Sequence, residues 1–360
     1  MIWADLGFTL LKIGLVLFIV LTLVAYLTLA ERKISAFMQD RVGPNRVGPF
    51  GLLQPLADGI KFIFKEDIIP DQANRRFFVI APAISLVTAI VALAVIPIGR
   101  GFYTTFFGVL DQPYFFRFQI ADVNVALLYI FAVASLNVYG VVIGGWASNN
   151  KYSLLGGLRA AAQMISYEIA LGLSVVGVVV LTGSLRLGDI IEAQQNYWFM
   201  FPLFIGFVVF MVSSFAETNR APFDMPEAEA EIVAGYHTEY SSMKFAMFFM
   251  AEYTHMIVAS ALIVTFFLGG WYPLPFGGWL GIDIDKYWYL PPIVFVGKVF
   301  ALLFIFIWVR WSLPRFRYDQ VMNLGWKVLI PLSIVNIFIS CGWVYLTERV
   351  DIKNLISFSF

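Results

Sequence analysis

Eight runs of about twenty mostly apolar residues punctuate the chain, near 8–30, 78–98, 122–146, 165–183, 199–216, 244–268, 292–311 and 326–347. A helix of that length spans the roughly 30 Å hydrocarbon core of a bilayer. It also satisfies its own backbone hydrogen bonds where no water can. The expected fold class is therefore an all-α polytopic membrane protein, a single integral membrane domain over 1–360 with about eight transmembrane helices. Composition agrees. Charged residues make up 13% and mean hydropathy is +0.80, where soluble domains carry about 25% charged residues. The first run is too long for a signal-peptide core and lacks a convincing cleavage site, so it reads as a retained span.

Charge sorts the connecting segments into two sets. Those after odd-numbered runs hold 16 cations, from Arg32 and Lys33 through Arg315, Arg317 and Lys327. The opposite side holds seven: Lys12, Arg100, Arg117, Arg186, Lys286, Arg349 and Lys353. The positive-inside rule then sets both termini outside, periplasmic in a bacterial inner membrane. Aromatic pairs such as Trp271/Tyr272 and the run Tyr287–Tyr289 suit the outer interface.

Several chemistries are excluded. Formal net charge is zero, so nothing points to nucleic acid. A single cysteine, Cys341, cannot hold an iron–sulfur cluster, and two histidines are too few for paired haem ligation. There is no glycine-rich dinucleotide fingerprint and no phosphate loop. Any redox centre belongs to another chain.

Two connecting segments are unusual. After the first run, Arg41-Val-Gly-Pro-Asn-Arg46 opens a basic, turn-rich loop. It leads into Leu52, Leu53, Leu56, Ile60 and Ile63 at helical spacing. The spacing predicts an interfacial amphipathic helix over 52–66, either a brace on the membrane surface or a lid over an opening. The second segment, 217–243, is an acidic loop on the cytoplasmic side. Its six carboxylates are Glu217, Asp224, Glu227, Glu229, Glu231 and Glu239, against Arg220. Clustered acids raise one another's proton affinity, which suggests proton handling or docking to a partner. Asp224-Met-Pro-Glu227 resembles a capping box, which would account for those two acids and start a short helix ending at Gly235.

Ionisable residues also fall inside the runs: Glu168, Glu252 and Lys298. Each costs about 2.5–3.5 kcal/mol at a span centre, so such groups usually face a polar interior and have a role. The plainer reading is an ion pair between Lys298 and one of the glutamates. His255 shares a helical face with Glu252 and is expected as a hydrogen-bonded packing residue. Tyr167 and Tyr253 are read as packing or polar partners of the neighbouring glutamates. No internal repeat is visible, which weighs against the usual secondary-transporter architecture.

Longer strings carry a family resemblance. Ala30-Glu-Arg-Lys33, Gly51-Leu-Leu-Gln-Pro-Leu-Ala-Asp58, Gly145-Trp-Ala-Ser-Asn-Asn-Lys-Tyr152, Ala216-Glu-Thr-Asn-Arg-Ala-Pro-Phe-Asp224, Gly235-Tyr-His-Thr-Glu-Tyr240 and Pro314-Arg-Phe-Arg-Tyr-Asp-Gln320 resemble the H-subunit family of bacterial NADH–quinone oxidoreductase. This is the counterpart of mitochondrial complex I subunit 1, and the likeness runs from about 8 to 347. It implies a membrane subunit that forms much of a quinone chamber, entered between the first and sixth spans and the interfacial helix. Glu31, Arg32, Arg41, Arg46, Asp58 and Arg310 would line or ring that chamber. Glu217, Glu227, Glu229 and Glu231 would begin a carboxylate path that Glu168, Glu252 and Lys298 extend. Quinone would be the substrate. NADH, FMN and iron–sulfur clusters would sit on partner subunits, with antiporter-like and small membrane subunits alongside and lipid around. Ser135 stands where some members carry a glutamate.

The leading function is thus an energy-coupling subunit of a proton-translocating quinone oxidoreductase, with no redox centre of its own. The alternatives are the homologous subunit of an energy-converting hydrogenase, an independent ion transporter, and a passive anchor for soluble enzymes.

Overall fold

The computed structural model describes residues 2–104, 114–226, 232–275 and 287–349. Seven of its helices are long and apolar enough to cross a membrane: Gly7–Met38, Arg75–Val95, Ala126–Ala147, Lys151–Thr182, Ser242–Phe267, Leu290–Ser312 and Tyr318–Leu346. The expected fifth span is shorter than its apolar run. Its helix covers Phe204–Glu217, 14 residues, and rises only about 21 Å at 1.5 Å per residue. Pro202, lacking an amide hydrogen, falls among the turns that precede it. Two three-residue strands, Phe102–Thr104 and Tyr114–Phe116, pair antiparallel.

The helices are labelled α1 (Ile2–Met38), α2 (Gln54–Phe64), α3 (Arg75–Ala92), α4 (Ala126–Ser135), α5 (Asn137–Ala147), α6 (Lys151–Thr182), α7 (Leu187–Glu192), α8 (Phe204–Glu217), α9 (Ser242–Phe267), α10 (Leu290–Ser312), α11 (Tyr318–Leu324) and α12 (Ile330–Arg349). At 11 residues α2 is too short to cross, and Leu56, Ile63 and Phe64 are exposed along it. The third run is divided into α4 and α5 at Leu136. There the Ser135 hydroxyl donates to Ala132 O at 2.9 Å, competing with the helix's own ladder. Below the break α5 presses against α3. A Cβ on Gly140 would sit 2.2 Å from Ser85 Oγ, so only glycine permits that approach.

The ends of α6 follow local chemistry. Asn150 caps the start by accepting from Tyr152 N at 2.9 Å, and Gly183 ends the helix in the left-handed region at φ +65°. A π-turn over Gly325–Leu329 joins α11 to α12. Gly325 lies against the Tyr167 ring, whose hydroxyl donates to Val321 O at 2.8 Å. Tyr167 thus packs, and its polar bond goes to the backbone of α11 and not to the neighbouring Glu168.

The helix that positions the site is α9, buried on every side from Ala251 to Phe267. A helix covered all round is a core helix, even in a bilayer. At its far end Trp271 and Tyr272 are also buried, 3% and 5% exposed. They belong to the protein core instead of the expected interfacial belt, whereas Trp288 is exposed and packs on Phe102 with ring centres 4.8 Å apart.

Candidate functional site

The tightest knot of charge is built on Glu31, near the end of α1 and 5% exposed. Its carboxylate accepts from Tyr253 Oη at 2.7 Å, from Arg220 Nη1 at 3.4 Å and from Arg310 Nη1. Arg220, 4% exposed, lies over the Tyr253 ring at 4.2 Å. A buried guanidinium is tolerable only when paired. Burial alone would pull the Arg220 guanidinium down, but Tyr253, Glu31 and Glu252 together raise it above the usual arginine range. Its position is fixed from behind. Fully buried Gln163 on α6 donates to Ala216 O and Phe223 O, both at 2.7 Å. These bonds clamp the tight turn that follows α8 and aims Arg220 at Glu31.

Beside the knot lies a cavity of about 530 Å³ between α1, α2, α9 and α10. Its wall is mostly apolar, with Val24, Phe62, Phe249 and Met250 among its members, and its polar groups include Glu31, Arg32, Asp58 and Arg310. A large apolar cavity with a few convergent polar groups is the usual form of a small-molecule site. Arg32 and Asp58 pair at 2.7 Å, and Gln54 donates to Asp58 at 3.1 Å, tying α2 to α1 along one wall. Four of the six chamber residues expected from sequence therefore meet here. Arg41 and Arg46 do not border it. Both are exposed in the loop before α2, where Arg41 donates to Gln39 at 2.7 Å.

On the other side of α9 is a compartment of about 10 Å³. It is bordered by Glu217, Glu252, His255, Tyr236, Asn137 and Ser85, with Thr218 and Asn219 nearby. Tyr236 donates to Glu252 at 3.1 Å. A second compartment of the same size shares Glu217 and His255 and is otherwise walled mainly by apolar side chains. Neighbouring residues on a helix diverge by about 100°. Tyr253 therefore borders the large cavity while Glu252 and His255 border the small compartment. Glu168, half-buried on α6, is within electrostatic reach of Glu217.

The remaining sequence candidates are distributed elsewhere. Lys298 donates to Leu268 O, Gly270 O and Tyr272 O and lies 4.2 Å over the Trp198 ring. It closes the C-terminal end of α9, about 22 Å along the axis from Glu252 at 1.5 Å per residue. It is not brought to the glutamates. Glu239 accepts from Asn150 at 2.6 Å, supporting the cap of α6. Asp224 pairs with Arg315 at 2.7 Å. Glu227, Glu229 and Glu231 lie outside the described residues, as does most of the short helix expected from the capping box. Ser135 is half-buried at the α4–α5 break, and Asn137, two residues on, borders the small compartment instead. Among the described residues no group of three or more His, Cys, Asp or Glu is set to hold a metal ion.

Sequence reasoning missed Asn137, Ser85 and Tyr236. It also weighed Arg220 only as a lone cation among acids. One signal was available for Tyr253, since a tyrosine beside a buried glutamate must point to another compartment. None was available for Asn137 and Ser85, which lie on separate helices.

A family model described as NADH dehydrogenase matches residues 11–341. The chain belongs to that family. It is 53% identical over 329 residues to an H subunit of the NADH-quinone oxidoreductase of Cytophaga hutchinsonii, covering 91% of this chain and 93% of that protein. An H subunit of the same enzyme from Geobacter metallireducens is 53% identical over 341 residues, 94% of this chain and 97% of its own. The H subunit from Rhodospirillum rubrum is 51% identical over 323 residues, 89% of each. In each case the identity runs over nearly the whole length of the chain.

Proposed function

We propose that this chain is a membrane subunit of a proton-translocating NADH:quinone oxidoreductase and that quinone occupies the cavity between α1, α2, α9 and α10. The observation that carries this is the convergence of Glu31, Tyr253 and Arg310 on an apolar cavity of about 530 Å³. Its chemistry suits an apolar tail and a hydrogen-bonding head. Relatives named as quinone oxidoreductase subunits favour this reading over a hydrogenase subunit or an independent transporter.

The electrons come from an iron–sulfur centre among partner subunits docked at the basic, cytoplasmic side, and NADH and FMN also belong to partner subunits. Reduction of a quinone to a quinol takes up protons, and the phenol of Tyr253 and the carboxylate of Glu31 stand where the head would lie. Arg220 ties the two compartments electrostatically, because it senses both Glu31 and Glu252. A change of charge in the large cavity is then felt at Glu252, Glu217 and Glu168. Glu227, Glu229 and Glu231 belong to the same path in this reading, and antiporter-like subunits receive its output. Both termini face the periplasm.

The test is photolabelling of the assembled complex with an azido-quinone. Label is expected on peptides spanning Glu31–Asp58 and Met243–Tyr253, competed by unlabelled quinone. Competed label confined to other chains, with none on these peptides, would refute the site.

A further inference from the structure

Among the described residues, three buried polar atoms of the small compartment have no protein partner: Ser85 Oγ, Asn137 Oδ1 and His255 Nε2. Their residues are 1%, 6% and 7% exposed, and polar groups so deeply buried are as a rule hydrogen-bonded. The space they share, about 10 Å³, is close to the least that one water requires, and a buried water typically makes about three hydrogen bonds. The same space is bordered by Glu217 from α8 and Glu252 from α9. His255 and Glu217 then border the second compartment as well, whose only other hydroxyl or charged group among the described residues is Ser214.

The imidazole differs from its two unpartnered neighbours in one chemical respect. Ser85 and Asn137 can orient a water, whereas Nε2 can take up a proton and return it. A histidine serving only the packing of α9 would bond Nε2 to the protein. This one leaves it unbonded, and the residue borders the same space as two glutamates.

We propose that His255 carries protons between Glu252 and Glu217 through one water held in the shared compartment. In the first step the Glu252 carboxyl gives its proton to the water as the water gives one of its own to Nε2. In the second, the imidazolium releases that proton to the Glu217 carboxylate. One proton has moved, and water and imidazole are as they began. The other groups acting on this exchange are Tyr236, bonded to Glu252, Arg220, which acts on Glu252 from the large-cavity side, and Glu168, which reaches Glu217 from α6. The inference rests on the proposed function in one respect: protons must move when quinone is reduced.

The test uses the assembled complex in sealed vesicles with His255→Asn, a polar side chain that cannot become a cation, and His255→Ala. His255→Asn should lower proton translocation per NADH oxidised by about tenfold or more, with assembly and quinone-analogue labelling unchanged. Added imidazole should restore translocation in His255→Ala, and methylated imidazoles of different basicity should move its pH profile accordingly. A purely structural role would not produce that dependence. Undiminished translocation in His255→Asn, or rescue whose pH profile ignores the added base, overturns the proposal. If neither variant assembles, the parent complex, with isotope-labelled histidine in this chain alone, decides by infrared difference spectroscopy. No histidine changing protonation during turnover overturns the proposal, and a change that persists in His237→Asn supports it. Loss of quinone labelling from the large cavity counts against the proposed function alone.

Discussion

Glu31 pairs with two guanidinium groups and accepts a hydrogen bond from a phenol, so its charge cannot be removed without stranding Arg220. Removing one partner of a buried ion pair costs about 3–5 kcal/mol. Glu31→Gln should therefore lower the melting temperature of the complex and cut quinone turnover together, whereas Arg32→Gln, at an exposed pair, should leave stability nearly unchanged. Differential scanning fluorimetry beside quinone-reductase assays reads both. A second cluster, Asp122 with Arg186 and Arg117, gives a pH signature. The Arg186 guanidinium bonded to Asp122 holds that carboxyl below its usual range. A depressed carboxyl contributes stability above its unfolded value, about 3.9, and loses it as pH falls through the lower folded value. Asp122→Asn should thus be less stable than the parent at neutral pH, with the gap closing below about pH 4. Thermal melts across pH check this. At this scale the sequence was partly readable. Charged residues inside apolar runs pointed to Glu168, Glu252 and Lys298, because burying a charge is costly wherever it occurs. It did not say which neighbour each would meet. Lys298 found backbone carbonyls, and His255 found a compartment instead of a packing bond.

Element by element, helix existence followed from apolar length, and helix limits did not. The run at 199–216 begins as turns because proline interrupts it, and the run at 122–146 is divided where Ser135 bonds back to Ala132. Neither event alters hydrophobicity, which is the property that marks a span. Close packing was equally hidden, since a glycine in an apolar run looks the same whether or not a neighbour touches it. Gly140→Ala would place a Cβ 2.2 Å from Ser85 Oγ. Overpacking of this kind costs about 1–3 kcal/mol, and here it would also shift Asn137 and Ser85 apart. Lower thermal stability, together with impaired proton translocation, is the expected result. At the end of α9, Lys298→Met would free three carbonyls from a cation that also complements the helix dipole. Hydrogen bonds to charged groups contribute about 1.5–3 kcal/mol each, so the variant should be destabilised strongly, with quinone labelling retained in whatever complex assembles. Full stability with abolished translocation would instead make Lys298 a proton carrier.

For the molecule as a whole, 16 cations against seven across the connecting segments predict one orientation. Alkaline phosphatase fused after the last residue should be active in cells, and a fluorescent protein fused there should be dark. The reverse pattern would invert the proposed docking side. The all-α membrane class was legible because a bilayer imposes length and apolarity on every span. The site was legible only through motif strings, since its residues come from α1, α2, α9, α10 and the turn after α8, and proximity across such distances leaves no periodic trace. One architectural fact bears on how the chain is made. Among the described residues, α9 touches α1, α2, α3, α7, α8 and α10, and all but the last precede it in the chain. A segment carrying Lys244, Glu252 and His255 is a poor candidate for residence in lipid alone. It is synthesised after nearly all of its cover is already in the membrane, so biogenesis can deliver it from the insertion machinery straight into a waiting socket. Chains truncated after Phe267 should hold α9 against extraction, whereas the same helix expressed without its predecessors should be rejected or degraded.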